Sequence, residues 1–237
     1  MIDIIGLDAD DTLWHNEIHY SNTKRAFAEM LLEFQDYASI ESMLEQTEMR
    51  NIHIYGFGIK SYTLSLIEAA IEITNGNLEA AHIHQIMSLS KEMLNADVLL
   101  FDGVEDTLAD LSGKHNLMLI SKGDTFEQEK KIQRTGLYDY FKYIEIVGAK
   151  TPQIYASLLD KYDIDATRFI MVGNALKSDV LPVLEIGGMA VYIHYEETWA
   201  HENEVSIPYE NQRYYEIERI DQLPQLVDSI INSGTGR

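Results

Sequence analysis

The stretch IDIIGLDADDT, residues 2–12, is where the reading of this chain begins. Ile2, Ile4, Ile5 and Leu7 crowd apolar side chains into six positions, broken only by Asp3 and stopped by Asp8. A short run rich in isoleucine and closed by polar residues predicts a buried strand over 2–8. The two carboxylates that follow at i and i+2, Asp8 and Asp10, then stand at its carboxyl end.

Outward from this strand the chain changes character. Over 17–96 apolar residues recur at helical spacing in 26–34, 40–49, 61–73 and 78–94, with a break at Asn75-Gly76-Asn77. From about residue 98 the pattern alternates. Helices are expected over 104–113, 124–135, 151–162, 176–185 and 219–232. Strands are expected over 116–121 (NLMLIS), 142–147 (KYIEIV), 168–172 (RFIMV) and 189–194 (MAVYIH). Thr151 is an N-cap with Pro152 at the first helical position. Strands alternating with helices imply an α/β fold, a doubly wound parallel sheet covered on both faces. The expected organisation is a core of residues 1–16 and 98–237 with residues 17–97 inserted as a helical domain. The stretch 195–215 has no clear periodicity, and the tail Ser233 to Arg237 reads as mobile.

Composition limits what such a chain can do. It has 237 residues, no cysteine, and 39 Asp and Glu against 18 Lys and Arg, for a formal charge of −21. Without cysteine there is no disulfide, thiolate metal site, iron–sulfur cluster or cysteine nucleophile. The acidic balance argues against nucleic acid and against an anionic membrane as bulk partners. No run reaches the ~20 apolar residues of a membrane span. Nor does the start resemble a secretory leader, so the expected location is the cytoplasm.

Ligands of an open parallel sheet bind at the carboxyl ends of its strands. There the sequence places Asp8, Asp10 and Thr12, then Ser121, Lys122 and Gly123, then Lys150, then Gly173, Asn174 and Asp179. Paired carboxylates divide into a nucleophile and a general acid–base when their surroundings differ. A hydroxyl and an ammonium hold phosphoryl oxygens. Several carboxylates together call for a hard cation, most simply Mg²⁺.

In that order and at those strand ends, Asp8-x-Asp10-x-Thr12, Ser121, Lys150 with Pro152 nearby, and Gly173-Asn174-x-x-x-Ser178-Asp179 resemble the haloacid dehalogenase superfamily of hydrolases. The helical stretch sits where that family inserts a C1-type cap. The resemblance implies Asp8 as nucleophile and metal ligand. Asp10 would be the general acid and base, with its backbone carbonyl on the metal, and Thr12 would hold the loop. Ser121 and Lys150 would bind the phosphoryl group, assisted by backbone N–H groups near Lys122 and Gly123. Asp179 would complete the metal shell. The chain departs from the family at Asn174, where an Asp is common. An amide brings no charge, so Asn174 either orients a metal-bound water or caps the following helix.

Other features read as structural. His82 and His84, at i and i+2, do not share a helix face. His15 and His19, at i and i+4, read as hinge or substrate contacts rather than metal ligands. Arg50 to Lys60, interrupted by Gly56 and Gly58, is either a substrate-reading loop or a helix–helix turn. Trp199 with Glu196, Glu197 and Glu202 reads as a surface loop.

The implied function is a Mg²⁺-dependent phosphatase acting on a small phosphomonoester through an aspartyl-phosphate. A dehalogenase of the same fold needs no metal and lacks the second acid, so Asp10 and Asp179 speak against it. A phosphomutase keeps every one of these motifs. A catalytically silent binding domain suits Asn174 but not Asp8, Asp10 and Lys150. In so acidic a chain, attraction of a phosphate ester must be local, from Mg²⁺, Lys150 and also Lys122, Arg50 or Lys60. Substrate and oligomeric state are left open.

Overall fold

The computed structural model describes residues 2–195, 202 and 212–234. Strands β1 (Ile4–Leu7), β2 (Asn116–Lys122), β3 (Tyr143–Val147), β4 (Phe169–Gly173), β5 (Met189–Ile193) and β6 (Tyr214–Ile217) form one sheet in the order β3-β2-β1-β4-β5-β6. Every neighbouring pair is parallel. The chain winds outward from β1 to β3 and then restarts on the other side of β1 with β4. The switch point between β1 and β4 therefore opens a crevice beyond their carboxyl ends.

The period-2 alternation of β1 divides its side chains between two cores. Ile5 and Leu7 pack with Leu117, Leu119, Ile170, Val172, Val191 and Ile193 on one face. Helices α5 (Val104–Ser112) and α9 (Leu223–Gly234) cover that face with Val104, Leu108, Leu111, Leu223 and Val227. Ile4 faces the other way with Met118, Ile120, Phe169 and Met171, under Tyr155, Leu158 and Leu159 of α7 (Pro152–Lys161) and Val183 of α8 (Leu181–Glu185). Each fully buried side chain of this size contributes roughly 1.5–3 kcal/mol. Gly6 lies between Ile5 and Leu7 on the Ile4 face, where a Cβ would come within 2.7 Å of the Phe169 ring. Thr151 caps α7 by accepting the Ile154 N–H at 3.3 Å, with Pro152 in the first turn.

The chain divides into two compact units. One comprises Met1–Glu17, Val98–Lys122 and Gln128–Arg237, the other Ile18–Asp97 and Gly123–Glu127. The second is built from α1 (Glu17–Leu31), α2 (Tyr37–Tyr55), α3 (Ile59–Ile73) and α4 (Ala80–Asn95). Its core follows the helical period, with Tyr62, Leu66, Ala69, Ala70 and Ile73 of α3 against Phe27, Leu31, Ile40, Leu44 and Ile86. Asp36 caps α2 through the Ser39 N–H at 3.1 Å. Among the described residues no helix is long and apolar enough to cross a membrane.

Four local expectations are corrected. α2 runs on through Arg50 to Tyr55, so the expected break shrinks to Gly56–Gly58, whose glycines take φ of 75° and 117°. Strand β6 emerges at the end of the stretch read as aperiodic, because Tyr214–Ile217 pairs with β5 and not with anything nearby in sequence. The helix expected over 176–185 starts as a wide π-type turn, Leu176–Val180, before α8. Ser233 and Gly234 belong to α9, while the remainder of the tail lies outside the described residues.

Candidate active site

β1 ends one residue before Asp8, and the turn that follows is tight. Asp11 sits at φ 61°, a left-handed conformation that Asp tolerates better than most side chains. Its carboxyl accepts the N–H groups of Asn16 and Glu17 at 2.9–3.1 Å, which fixes the loop. Burial, together with Asp10 and Asp8 nearby, pushes the Asp11 carboxyl up to about 7 against those hydrogen bonds.

At the switch point the structure brings together Asp8, Thr12, Lys150, Asn174 and Asp179. The Lys150 ammonium bonds Asp8 Oδ1 and lies 2.6 Å from Asp179 Oδ1. The side chains of Lys150 and Asp179 are only 2% and 1% exposed. Burial opposes the charged ammonium, but the Asp179 and Asp8 carboxylates outweigh it and hold Lys150 more firmly protonated than an ordinary lysine. One ammonium serves two carboxylates, and burial pushes the Asp179 carboxyl up to about 7 despite Lys150, with Asp8 adding repulsion. Asp179 also accepts the Ala175 N–H at 3.1 Å, and it lies against Gly173, where a Cβ would fall 2.2 Å from Asp179 Oδ2. The bare glycine at the end of β4 thus makes room for this carboxylate.

Thr12 Oγ1 lies 3.1 Å from both Asp8 Oδ2 and Asn174 Oδ1 and accepts the Asn174 N–H at 3.2 Å. The hydroxyl has one proton, which goes to the carboxylate as the stronger acceptor. Asn174 Oδ1 stands at hydrogen-bond distance from the same hydroxyl as a second acceptor. Asn174 thus ties the end of β4 to the loop after β1.

Asp10 does not join this cluster. Its Oδ1 accepts the Trp14 indole N–H at 2.6 Å, its Oδ2 the Gln128 amide at 2.8 Å, and Lys131 Nζ reaches both oxygens at 2.6 and 2.8 Å. Gln128 and Lys131 stand three residues apart on α6 (Thr125–Thr135), on one face of the helix. The sequence reading missed all three partners; the i, i+3 spacing is the only local sign of them.

Ser121 near the end of β2 is buried, and its hydroxyl has no hydrogen-bond partner among the described residues. Lys122 is engaged elsewhere: its ammonium bonds Ser178 Oγ at 3.0 Å and the Glu202 carboxylate. Glu202 also accepts from Ser178 at 2.6 Å. Burial alone would raise the Glu202 carboxyl, but Lys122 and Ser178 bring it below the usual range. The surface-loop expectation is therefore corrected for Glu202, which is buried because it neutralises Lys122; Glu196, Glu197 and Trp199 lie outside the described residues. Gly123 takes φ 152° and groups with the helical unit, not with Ser121 and Lys122. His15 packs at a tilt against Phe101 with ring centroids 4.0 Å apart, and His82 packs edge-on to Phe34.

Among the described residues no three His, Asp or Glu side chains converge as a ready ligand set. The donor chemistry still suits a hard cation. Asp8 and Asp179 are buried oxygen donors that share one positive group, and two carboxylates outnumber one ammonium.

Residues 2–187 match the family described as haloacid dehalogenase-like hydrolase. A solved haloacid dehalogenase-like family hydrolase from Xanthomonas campestris is 36% identical, with a TM-score of 0.89 over all of this chain and 95% of that one. N-acylneuraminate-9-phosphatase of Mus musculus is 25% identical over 185 residues, 75% of this chain and 72% of the relative. Pyrimidine 5′-nucleotidase YjjG of Escherichia coli is 24% identical over 196 residues, 78% of this chain and 83% of the relative. The fold and these matches define the class: a hydrolytic enzyme built on an α/β parallel sheet. The chain belongs to the haloacid dehalogenase-like hydrolases.

Proposed function

We propose that this hydrolase is a Mg²⁺-dependent phosphatase of a small phosphomonoester. The observation that carries the reading is the buried Asp8–Lys150–Asp179 cluster, with the buried Ser121 hydroxyl, unpaired among the described residues, on the neighbouring strand β2. In the β1–β2 register Leu7 stands opposite Leu119, so Ser121 is level with the loop that carries Asp8 to Asp10. The phosphatase names of the relatives support the same chemistry.

Asp8 acts as the nucleophile: an oxygen of its carboxylate attacks phosphorus and the ester P–O bond breaks. Asp10, protonated, gives its proton to the leaving oxygen. Asp10, now a carboxylate, then takes a proton from the water that attacks the phosphoryl group on Asp8 and frees phosphate. Thr12 holds Asp8 Oδ2, which leaves Oδ1 as the oxygen that exchanges Lys150 for phosphorus. Ser121 and Lys150 bind the phosphoryl oxygens, and backbone N–H groups near Lys122 and Gly123 assist. The Lys122 side chain is a weak candidate for that task, since Glu202 already neutralises it. Asp8, the Asp10 carbonyl, Asp179 and Asn174 would hold Mg²⁺, which when bound neutralises the phosphoryl charge. Residues 17–97 act as the cap that selects the substrate.

Phosphate release from a panel of sugar, nucleotide and three-carbon phosphates, with and without Mg²⁺, tests this. The wild type is expected to release phosphate only with Mg²⁺, and Asp8→Asn to lose that activity. No release above Asp8→Asn from any member contradicts the phosphatase reading. Metal-independent release of halide from a 2-haloacid points to the dehalogenase instead.

A further inference from the structure

A cavity of about 370 Å³ lies at the carboxyl ends of β5 and β6, walled also by the loop after β1 and by the segment that leads into α5. All of its lining residues belong to the unit that carries the sheet. Three rings form one wall: Phe101 stands 4.0 Å from His15 and 5.3 Å from Tyr195, centroid to centroid, with planes tilted by 51° and 75°. Leu100, Ile193 and Ile220 supply the rest of the apolar lining. The wall is held by backbone, because the His15 N–H donates to the Leu99 carbonyl and the Phe101 N–H to the Leu13 carbonyl, both at 3.0 Å. At the exposed rim stand two carboxylates, Asp102 and Glu218. The Arg219 guanidinium beside them is committed to Asp221 at 2.7 Å, and the His194 ring to Glu216 at 3.0 Å. Asp11 lines the cavity with a buried carboxyl that already accepts the Asn16 and Glu17 N–H groups. None of Asp8, Lys150 and Asp179 lines it.

We propose that this cavity is a second binding site, for a small organic ammonium ion with a flat apolar body. A concave, largely apolar and aromatic lining with a few polar groups is the usual form of a small-molecule site, and the volume falls within the usual range. The charge of the ligand follows from the lining. Aromatic faces attract a cation, and the Asp102 and Glu218 carboxylates at the rim attract it further. An anion meets the same two carboxylates and finds Arg219 already paired. The surrounding field acts in the same direction, in a chain of formal charge −21. Thr12 lines the cavity while its hydroxyl stands 3.1 Å from Asp8 Oδ2, so an occupant touches the loop that carries Asp8 without entering the Asp8–Lys150–Asp179 cluster. The inference does not depend on the phosphatase reading.

The probe is 2-phenylethylammonium, with 2-phenylethanol and phenylacetate as neutral and anionic counterparts of similar size. Saturation-transfer NMR titrations on the full chain give the affinities. The ammonium is expected to bind with a Kd of roughly 1 mM, the scale for a ligand this small. The alcohol is expected to bind at least about threefold more weakly, and phenylacetate more weakly still. Phe101→Ala is expected to weaken ammonium binding about tenfold. The Asp102→Asn/Glu218→Gln double variant, which alters only exposed side chains, is expected to weaken it about threefold and to leave 2-phenylethanol binding unchanged. Inorganic phosphate with Mg²⁺ is expected to leave the ammonium bound. Absence of ammonium binding to the wild type overturns the inference, as does equal affinity for all three probes. Displacement of the ammonium by phosphate with Mg²⁺ overturns the separateness of the site. Unchanged ammonium affinity in the double variant removes the rim carboxylates and the proposal with them, and this variant decides alone if Phe101→Ala does not fold.

Discussion

Replacing Lys150 by Met tests the buried cluster through stability, without substrate. The substitution keeps the length of the side chain and removes its charge. Asp8 and Asp179 then lose their shared cation while the Asp179 side chain remains 1% exposed. Breaking a buried ion pair by removing one partner costs about 3–5 kcal/mol. For a chain of this size that lowers Tm by about 6–20 °C. The loss depends on pH in a defined direction. Burial already raises the Asp179 carboxyl to about 7 with the ammonium present, and without it the carboxyl climbs further. A carboxyl raised above its unfolded value favours the folded state when protonated. The folded variant therefore keeps its stability in acid and loses it as pH rises through the raised value, so the deficit against wild type is larger at pH 8 than at pH 5.5. Asp179→Asn should cost less, because Lys150 keeps Asp8. Thermal unfolding by circular dichroism in metal-free buffer at both pH values measures this. A Lys150→Met protein melting within about 2 °C of wild type at pH 8 would refute the reasoning. So would an Asp179→Asn protein melting below Lys150→Met.

Further outcomes follow from particular contacts. In Gly173→Ala the new Cβ meets Asp179 Oδ2 at 2.2 Å, so the carboxylate must move; overpacking of this kind costs about 1–3 kcal/mol, and kcat for phosphate release should fall on the order of 10²-fold. Unchanged kcat contradicts a role for the position of Asp179. Asn174→Asp adds a carboxylate beside Thr12 and should tighten the Mg²⁺ dependence of activity on the order of tenfold, with ligand-sphere changes as the guide; a Mg²⁺ titration with an unmoved midpoint removes Asn174 from the metal shell. Glu48 in α2 is pushed up to about 7 by burial, with Glu45 adding to this and Lys24 opposing it. Its carboxyl therefore destabilises the fold as pH rises from 4.5 through 7, by no more than about 3 kcal/mol. Glu48→Gln should accordingly raise Tm at pH 8 and leave it unchanged at pH 4, and an equal shift at both values contradicts this account.

What was readable from residues alone follows the range of the forces involved. β1 and β2 announce themselves because burial on both faces demands apolar runs, Ile2 to Leu7 with Asp3 as its one charged residue and Leu117 to Ile120. α3 does so because one face carries Tyr62, Leu66, Ala69 and Ile73 at helical spacing. β6 escaped notice because Tyr214 to Ile217 is an edge strand whose pairing with β5 is its main reason to exist. The continuation of α2 through His53 and Tyr55 was hidden by the glycines just beyond it, which end the helix but do not unwind it. Among the candidate residues, strand ends marked Asp8, Lys150 and Asp179, which the fold does bring together, because residues after parallel strands share one edge of the sheet. The partners of Asp10 were not legible, since Gln128 and Lys131 look like any polar face of a helix until tertiary structure aims them. Glu202 was hidden for the converse reason: in an acidic stretch nothing local marks the one carboxylate that folds inward to Lys122.

The account stands or falls on Asp8 as the atom that receives phosphorus. Asp10→Asn retains the nucleophile but lacks the group that activates water, so a brief pulse with p-nitrophenyl phosphate and Mg²⁺ should leave the phosphoryl group on the protein. Mass spectrometry of the acid-quenched, digested variant should then find one phosphoryl group, labile to hydroxylamine, on the peptide that ends at Lys24 and assigned to Asp8. A wild type that turns the ester over while phosphate appears on another residue, or on none in Asp10→Asn, contradicts the central claim.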